Sequence, residues 1–194
     1  MPAQRPAPTR SLMPDGAAML PGIARTALRE AAQALDVAER YQHPLEMCLA
    51  LAQVARCYRA LQAHEAAESY LGQALRWSRT LGAADQAVEI LCLLTEAGCA
   101  LAEQSGSADS RRAHAALERT RDRAFEAAGL AARVADPDWE IKVLLRISDV
   151  LDRCGDHDDA VELQSRAMRL MYGVPAATET AEAPAPSPPA GAER

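Results

Sequence analysis

The side chains able to do chemistry are few in this chain, and their spacing keeps them apart. Five cysteines, at 48, 57, 92, 99 and 154, include no Cys-x-x-Cys pair, the spacing on which thiol redox centres and many zinc sites are built. Four histidines, at 43, 64, 114 and 157, fall among expected helix starts and turns, and none opens a His-Glu-x-x-His motif, which would set two imidazoles on one helical face for zinc. There is no glycine-rich phosphate loop. The run from Asp156 to Asp159 has charge enough for a cation, yet it lacks the spaced oxygen ligands and the glycine of a calcium loop. Acids at a helix start are accounted for by the helix dipole alone. Asp149, Asp152 and Cys154 fall on different faces of one helix. Catalysis needs a nucleophile, a base or a metal to converge, so the sequence points to no enzyme, with no catalytic residue, metal ligand or cofactor. The cysteines are expected to be buried free thiols.

The elements that would position any site are more legible. From Leu45 to Leu81 the chain reads as two amphipathic helices folded back on each other. Leu51, Val54, Ala55 and Tyr58 recur at helical spacing in the first half, and Ala67, Leu71, Ala74 and Leu75 in the second. Only a tight turn fits between Leu61 and Glu65. This hairpin repeats. Residues from Ala34 align with those from Ala74 at an offset of 40, and Gly129 to Leu145 aligns with the second copy at an offset of 53. Leu144, Ile147, Ser148, Leu151, Gly155, Ala160, Ala167 and Met168 then stand at the spacing of Leu51, Val54, Ala55, Tyr58, Gln62, Ala67, Ala74 and Leu75. Repetition of this kind sets the fold: an all-α, antiparallel helix-hairpin solenoid of about seven helices.

On these residues the chain resembles the tetratricopeptide repeat family in its roughly 40-residue form, over about Ile23 to Met171. Leu51, Val54, Ala55, Tyr58, Ala67, Leu71 and Ala74 fit that family's motif, and Leu144, Ile147, Gly155, Ala160 and Ala167 fit it again. Gln62 stands where the family has glycine, Ser148 where it has glycine or alanine, and Gln164 where it has a large apolar residue. The resemblance implies a concave face lined by the first helix of each hairpin. Carried onto this chain, that face is Leu49, Ala52, Gln53, Arg56 and Arg59, then Glu89, Cys92, Leu93, Glu96 and Cys99, then Lys142, Leu145, Arg146, Asp149 and Asp152. It implies a protein or peptide partner. Arg56 and Arg59 have no acid three or four residues away on their own helix, which leaves them for an acidic segment of the partner.

Composition bounds the alternatives. The 194 residues carry 21 Lys and Arg against 27 Asp and Glu, a formal charge of -6, which favours solubility over general nucleic-acid affinity. The basic stretch 111–133 carries Arg111, Arg112, Arg119, Arg121 and Arg123, but Glu118, Asp122 and Glu126 are spaced to pair with them inside one helix. No apolar run reaches the length of a membrane span, and prolines interrupt the N-terminus where a signal peptide needs an apolar core. A cytoplasmic scaffold or adaptor is expected, with a self-associating structural or assembly protein as the alternative and, behind it, a nucleic-acid binder through the basic helix 111–133. Trp77 and Trp139 are expected to pack.

In chain order, residues 1–17 and 173–194 are expected to be disordered tails flanking a repeat domain over 18–172. Helices are expected from Pro21 to about Arg40, Pro44 to Leu61, Glu65 to Thr80, Asp85 (as cap) to Glu103, Asp109 to Val134, Pro137 onward behind an Asp136 cap, and from Asp156 onward. An insertion interrupts the repeat around 104–116.

Overall fold

The computed structural model describes residues 21–105 and 110–173. The expected tail 1–17 and the tail beyond Gly173 lie outside the described residues. Among those described there are seven α-helices and no strand: α1 (Pro21–Tyr41), α2 (Pro44–Ala60), α3 (His64–Thr80), α4 (Ala84–Ser105), α5 (Ser110–Ala131), α6 (Pro137–Arg153) and α7 (His157–Tyr172), with one 3-10 turn, Ala132–Val134, after α5. The chain is an all-α helical solenoid. Each helix packs on its neighbour in sequence, and α4 also touches both α2 and α6. Thus α2, α4 and α6 form an inner layer, with α3, α5 and α7 behind them and α1 covering α2.

The connections explain the repeat. Gln42, Gln62, Gly82, Ala135 and Gly155 all take left-handed backbone, with φ of 53°, 62°, 64°, 56° and 83°. In four of these turns the next amide donates back five residues: His43 to Ala38, Ala63 to Tyr58, Ala83 to Ser78 and Asp156 to Leu151, at 2.9–3.0 Å. That bond satisfies a carbonyl the helix end would otherwise orphan. Gln42, Gly82 and Ala135 are spaced by the same offsets, 40 and 53, that align the sequence copies. Gln62 therefore does the work of the glycine it replaces, at the cost of side-chain crowding that glycine avoids.

The hairpin seams are made of alanine. Ala55, Ala67, Ala74, Ala124, Ala127, Ala131 and Ala167 are fully enclosed, with Leu71, Leu144 and Ile147 beside them. The residues read as structural are buried with two exceptions. Tyr58 is half-buried and stacks on Tyr70 with ring centroids 5.4 Å apart; Gly155 is an exposed turn residue whose contribution is its φ. Ser148, in a position expected to be small, is buried and donates to Leu145 O at 2.9 Å. Trp139 is buried in the core and Trp77 packs against it.

Two of the expected helix caps differ from expectation and one holds. Asp85 lies inside the first turn of α4 rather than capping it. Asp156 is the N-cap residue of α7 without giving it a side-chain bond, because its carboxylate faces Arg121 at 3.7 Å. Asp136 does cap α6, accepting from Trp139 N at 3.1 Å, with Pro137 behind it. The inserted region is largely helical among its described residues: α4 continues to Ser105 and α5 starts at Ser110. The two helices pack closely at Gly98, where a Cβ would run into Thr120 Oγ1.

Candidate functional site: the inner face of α2, α4 and α6

Helical spacing on three parallel helices aims one charged row from each at the same surface. Arg56 and Arg59 come from α2, Glu89 and Glu96 from α4, and Arg146 from α6. They form a continuous ladder. Arg56 Nη2 donates to Glu89 Oε1 at 2.9 Å. Arg146 donates through Nη1 to Glu89 Oε2 at 3.1 Å and through Nε to Glu96 Oε1 at 2.6 Å. Arg59 closes the far end on Glu96. The side chains are half-buried, with Arg146 and Glu96 only 19% and 15% exposed.

This corrects the reading of Arg56 and Arg59 as arginines left free for an acidic partner. Their own helix offers no acid within a turn of either, but α4 does, across 33 and 37 residues of sequence. At Arg146, burial works against the charged form, but Glu96, Cys92 and Glu89 outweigh it and the guanidinium is held well above its ordinary range. Arginine is charged at all relevant pH in any case, so the effect is to fix the ladder in place. An acidic peptide would have to displace Glu89 or Glu96 rather than meet an open cation.

Other residues assigned to this face divide by depth. Leu49 and Leu145 are exposed, at 45% and 43%, as are Lys142, Asp149 and Asp152, and Gln53 is half-buried. Leu93, Cys92 and Cys99 are core residues and Ala52 is buried, so none of the four presents a surface. The reason is position: α4 is flanked by inner helices on both sides, so its central row is enclosed, whereas the equivalent Gln53 and Arg146 each have one open side.

At one end of the face the ladder runs into a cleft of about 330 Å³, lined by Arg59, His64, Glu96, Glu103, Arg146 and Arg153 among others. His64, Glu103 and Arg153 were not singled out as site residues by the repeat pattern. His64 lies in the first turn of α3 rather than on an inner helix, and Glu103 and Arg153 lie beyond the five positions that the family resemblance marks. His64 is 7% exposed; its Nε2 meets Gln62 Oε1 at 3.2 Å and its Nδ1 is enclosed without a partner. Burial, then the neighbouring Arg59, holds its pKa below the usual imidazole range despite Glu103. Carboxylates, guanidiniums and one neutral imidazole suit recognition of a polar chain. Among the described residues no three His, Cys, Asp or Glu side chains gather as a metal site.

Four of the five arginines of α5 are also consumed, though not within their helix as the spacing suggested. Arg112 pairs with Glu65, Arg119 and Arg123 with Glu68, and Arg121 with Asp159, while Glu126 answers Arg79 of α3. They clip the outer helices α3, α5 and α7 together. No described helix is long and apolar enough to cross a membrane.

No protein-family model matches the chain, and no curated protein does. Similar solved structures include one titled DHF58 filament, 22% identical, covering 78% of this chain and 82% of that one with a TM-score of 0.44. Another is the de novo designed helical repeat protein DHR64, 23% identical, covering 78% of this chain and 84% of its own, also with a TM-score of 0.44.

Proposed function

We propose that the chain is a non-catalytic scaffold or adaptor that binds a protein or peptide partner along the inner face of α2, α4 and α6, in the manner of the tetratricopeptide repeat family it resembles. The observation that carries this reading is the shape of that face. Two exposed leucines, Leu49 and Leu145, flank a pre-organised charged ladder that opens into a polar cleft. Apolar anchors beside fixed polar groups are what an extended or helical peptide needs for affinity and register. Because every arginine of the ladder is already paired with a glutamate, the partner's side chains are read mainly by hydrogen bonding and by the leucines. Free, mostly buried thiols fit a cytoplasmic setting. Affinity capture tests the reading, using wild type, a Leu49→Glu/Leu145→Glu variant and a Val161→Glu/Met168→Glu variant as baits. Proteins held by wild type should be lost from the inner-face variant and kept by the α7 variant; the reverse pattern overturns it.

A second reading, self-association, is favoured by the apolar side chains left exposed on the terminal helices: Ile23, Val37 and Tyr41 on α1, Val161, Met168 and Met171 on α7. Light scattering decides it, since an assembled array has a mass above that of one 20.8 kDa chain.

A further inference from the structure

Two cysteines 55 residues apart in sequence meet next to Ala100 and Arg153, which line the cleft. Cys99, from α4, is fully enclosed, and Cys154 ends α6 partly exposed. One carbonyl anchors both: Val150 O lies 3.9 Å from Cys99 Sγ and accepts the backbone N–H of Cys154 at 3.0 Å. Each thiol shifts the proton affinity of the other, Cys99 downward and Cys154 upward. Arg153 Nη2 stands 3.9 Å from Cys99 Sγ and Glu103 Oε1 stands 3.5 Å from it. Cys154 is followed by Gly155, whose left-handed turn is free of a side chain. By contrast Cys48, Cys57 and Cys92 are all enclosed, and Cys48 directs its S–H to Ala74 O.

We propose that Cys99 and Cys154 are a reversible dithiol–disulfide pair, oxidised by a hydroperoxide, that ties α4 to the end of α6 beside the cleft. The shared S–H bond from Cys154, aided by Arg153 against the opposing effect of burial, draws the Cys99 thiol below its ordinary range, while donation of that bond and burial push Cys154 up. One proton is therefore held between two sulfurs once the pair has lost the other to solvent. Its transfer to Cys99, the less favoured arrangement, puts the thiolate on Cys154, the partly exposed residue of the pair. That sulfur attacks a peroxide oxygen, breaking the O–O bond to give a sulfenic acid and hydroxide. Cys99, losing its proton to that hydroxide, then attacks the Cys154 sulfur and forms the S–S bond. The second hydroxide leaves and takes up the proton first released. Two thiols and one hydrogen peroxide become one disulfide and two waters; the sulfurs lose two electrons and the peroxide oxygens gain them. A low-molecular-weight thiol reverses the step by exchange, itself becoming the disulfide.

The test treats the reduced full-length chain with hydrogen peroxide, counts free thiols, and maps peptides after cleavage at both arginine and glutamate, which separates Cys99 from Cys92. The expected result is loss of two of the five thiols, two hydrogens lost from the intact mass, a joined Cys99–Cys154 peptide, and full reversal by dithiothreitol. Cys154→Ser and Cys154→Ala should each abolish the joined peptide while keeping the helical spectrum. Retention of all five thiols overturns the proposal. So does oxygen addition at Cys154 without a cross-link, or a disulfide that joins other cysteines or two chains.

Discussion

Gly98 offers the sharpest test of how closely α4 and α5 pack. Replacing it with alanine should by itself favour the helix by about 1 kcal/mol, because glycine loses more backbone freedom on folding. Here the added methyl meets Thr120 Oγ1, with Thr120 Cβ at 3.5 Å and Ala116 O at 3.8 Å behind it. The hydroxyl has no cheap retreat: Thr120 is fully buried and donates to Ala116 O at 2.8 Å. Overpacking of this kind costs about 1–3 kcal/mol, so Gly98→Ala should come out between neutral and about 2 kcal/mol destabilising. Thr120→Ala removes the obstructing oxygen, and in that background Gly98→Ala should stabilise by about 1 kcal/mol. The coupling between the two sites is then about 1–3 kcal/mol. Urea unfolding of wild type, both single variants and the double variant measures it, provided all four share one m-value. Equal stabilisation by Gly98→Ala in both backgrounds would show that the helices do not approach this closely.

Other positions extend the reasoning. Ala67→Leu and Ala160→Leu, at fully enclosed hairpin crossings, should each lower stability by about 1–3 kcal/mol by chemical denaturation. Ala135→Gly should raise it by up to about 1 kcal/mol, since its φ of 56° is a glycine conformation; a thermal melt with a lower midpoint would contradict this. Arg56→Glu with Arg59→Glu sets carboxylates against Glu89 and Glu96, so the pair should cost about 2–4 kcal/mol of stability. A midpoint unchanged from wild type would mean that the ladder does not form. His64 has a depressed pKa in the folded state, so the unfolded chain binds its proton first as pH falls through about 6.5. Stability should therefore drop below that pH. In His64→Gln that part of the drop should vanish, as read from unfolding midpoints between neutral and mildly acidic buffer.

What the sequence displays is whatever repeats. The helix pattern, the seam residues such as Ala67, Ala74, Ala160 and Ala167, and the spacing of the turns all follow from side-chain periodicity within one hairpin, and the structure places them accordingly. The left-handed turns show why a glycine pattern is an incomplete guide: Gln42, Gln62 and Ala135 adopt the same backbone as Gly82 and Gly155. What periodicity hides are relations between hairpins. Glu89 meets Arg146 across 57 residues and Cys99 meets Cys154 across 55, and no local spacing announces either. Leu93 was misplaced for the same reason, since its burial depends on helices on both sides of α4 rather than on its own helix. Gln164, which departs from the expected large apolar type, sits exposed on α7, the last helix of the described array.

The claim at the centre of this account is that a partner lies along α2, α4 and α6. Photo-cross-linking addresses it directly, with benzoylphenylalanine placed in turn at Leu49, at Leu145 and, on the outer layer, at Val161, all exposed positions where a bulky side chain is accommodated. Irradiation in the native extract should join the same foreign polypeptide to positions 49 and 145 and leave position 161 unjoined. Cross-links confined to position 161, or only to a second copy of this chain, would contradict the claim.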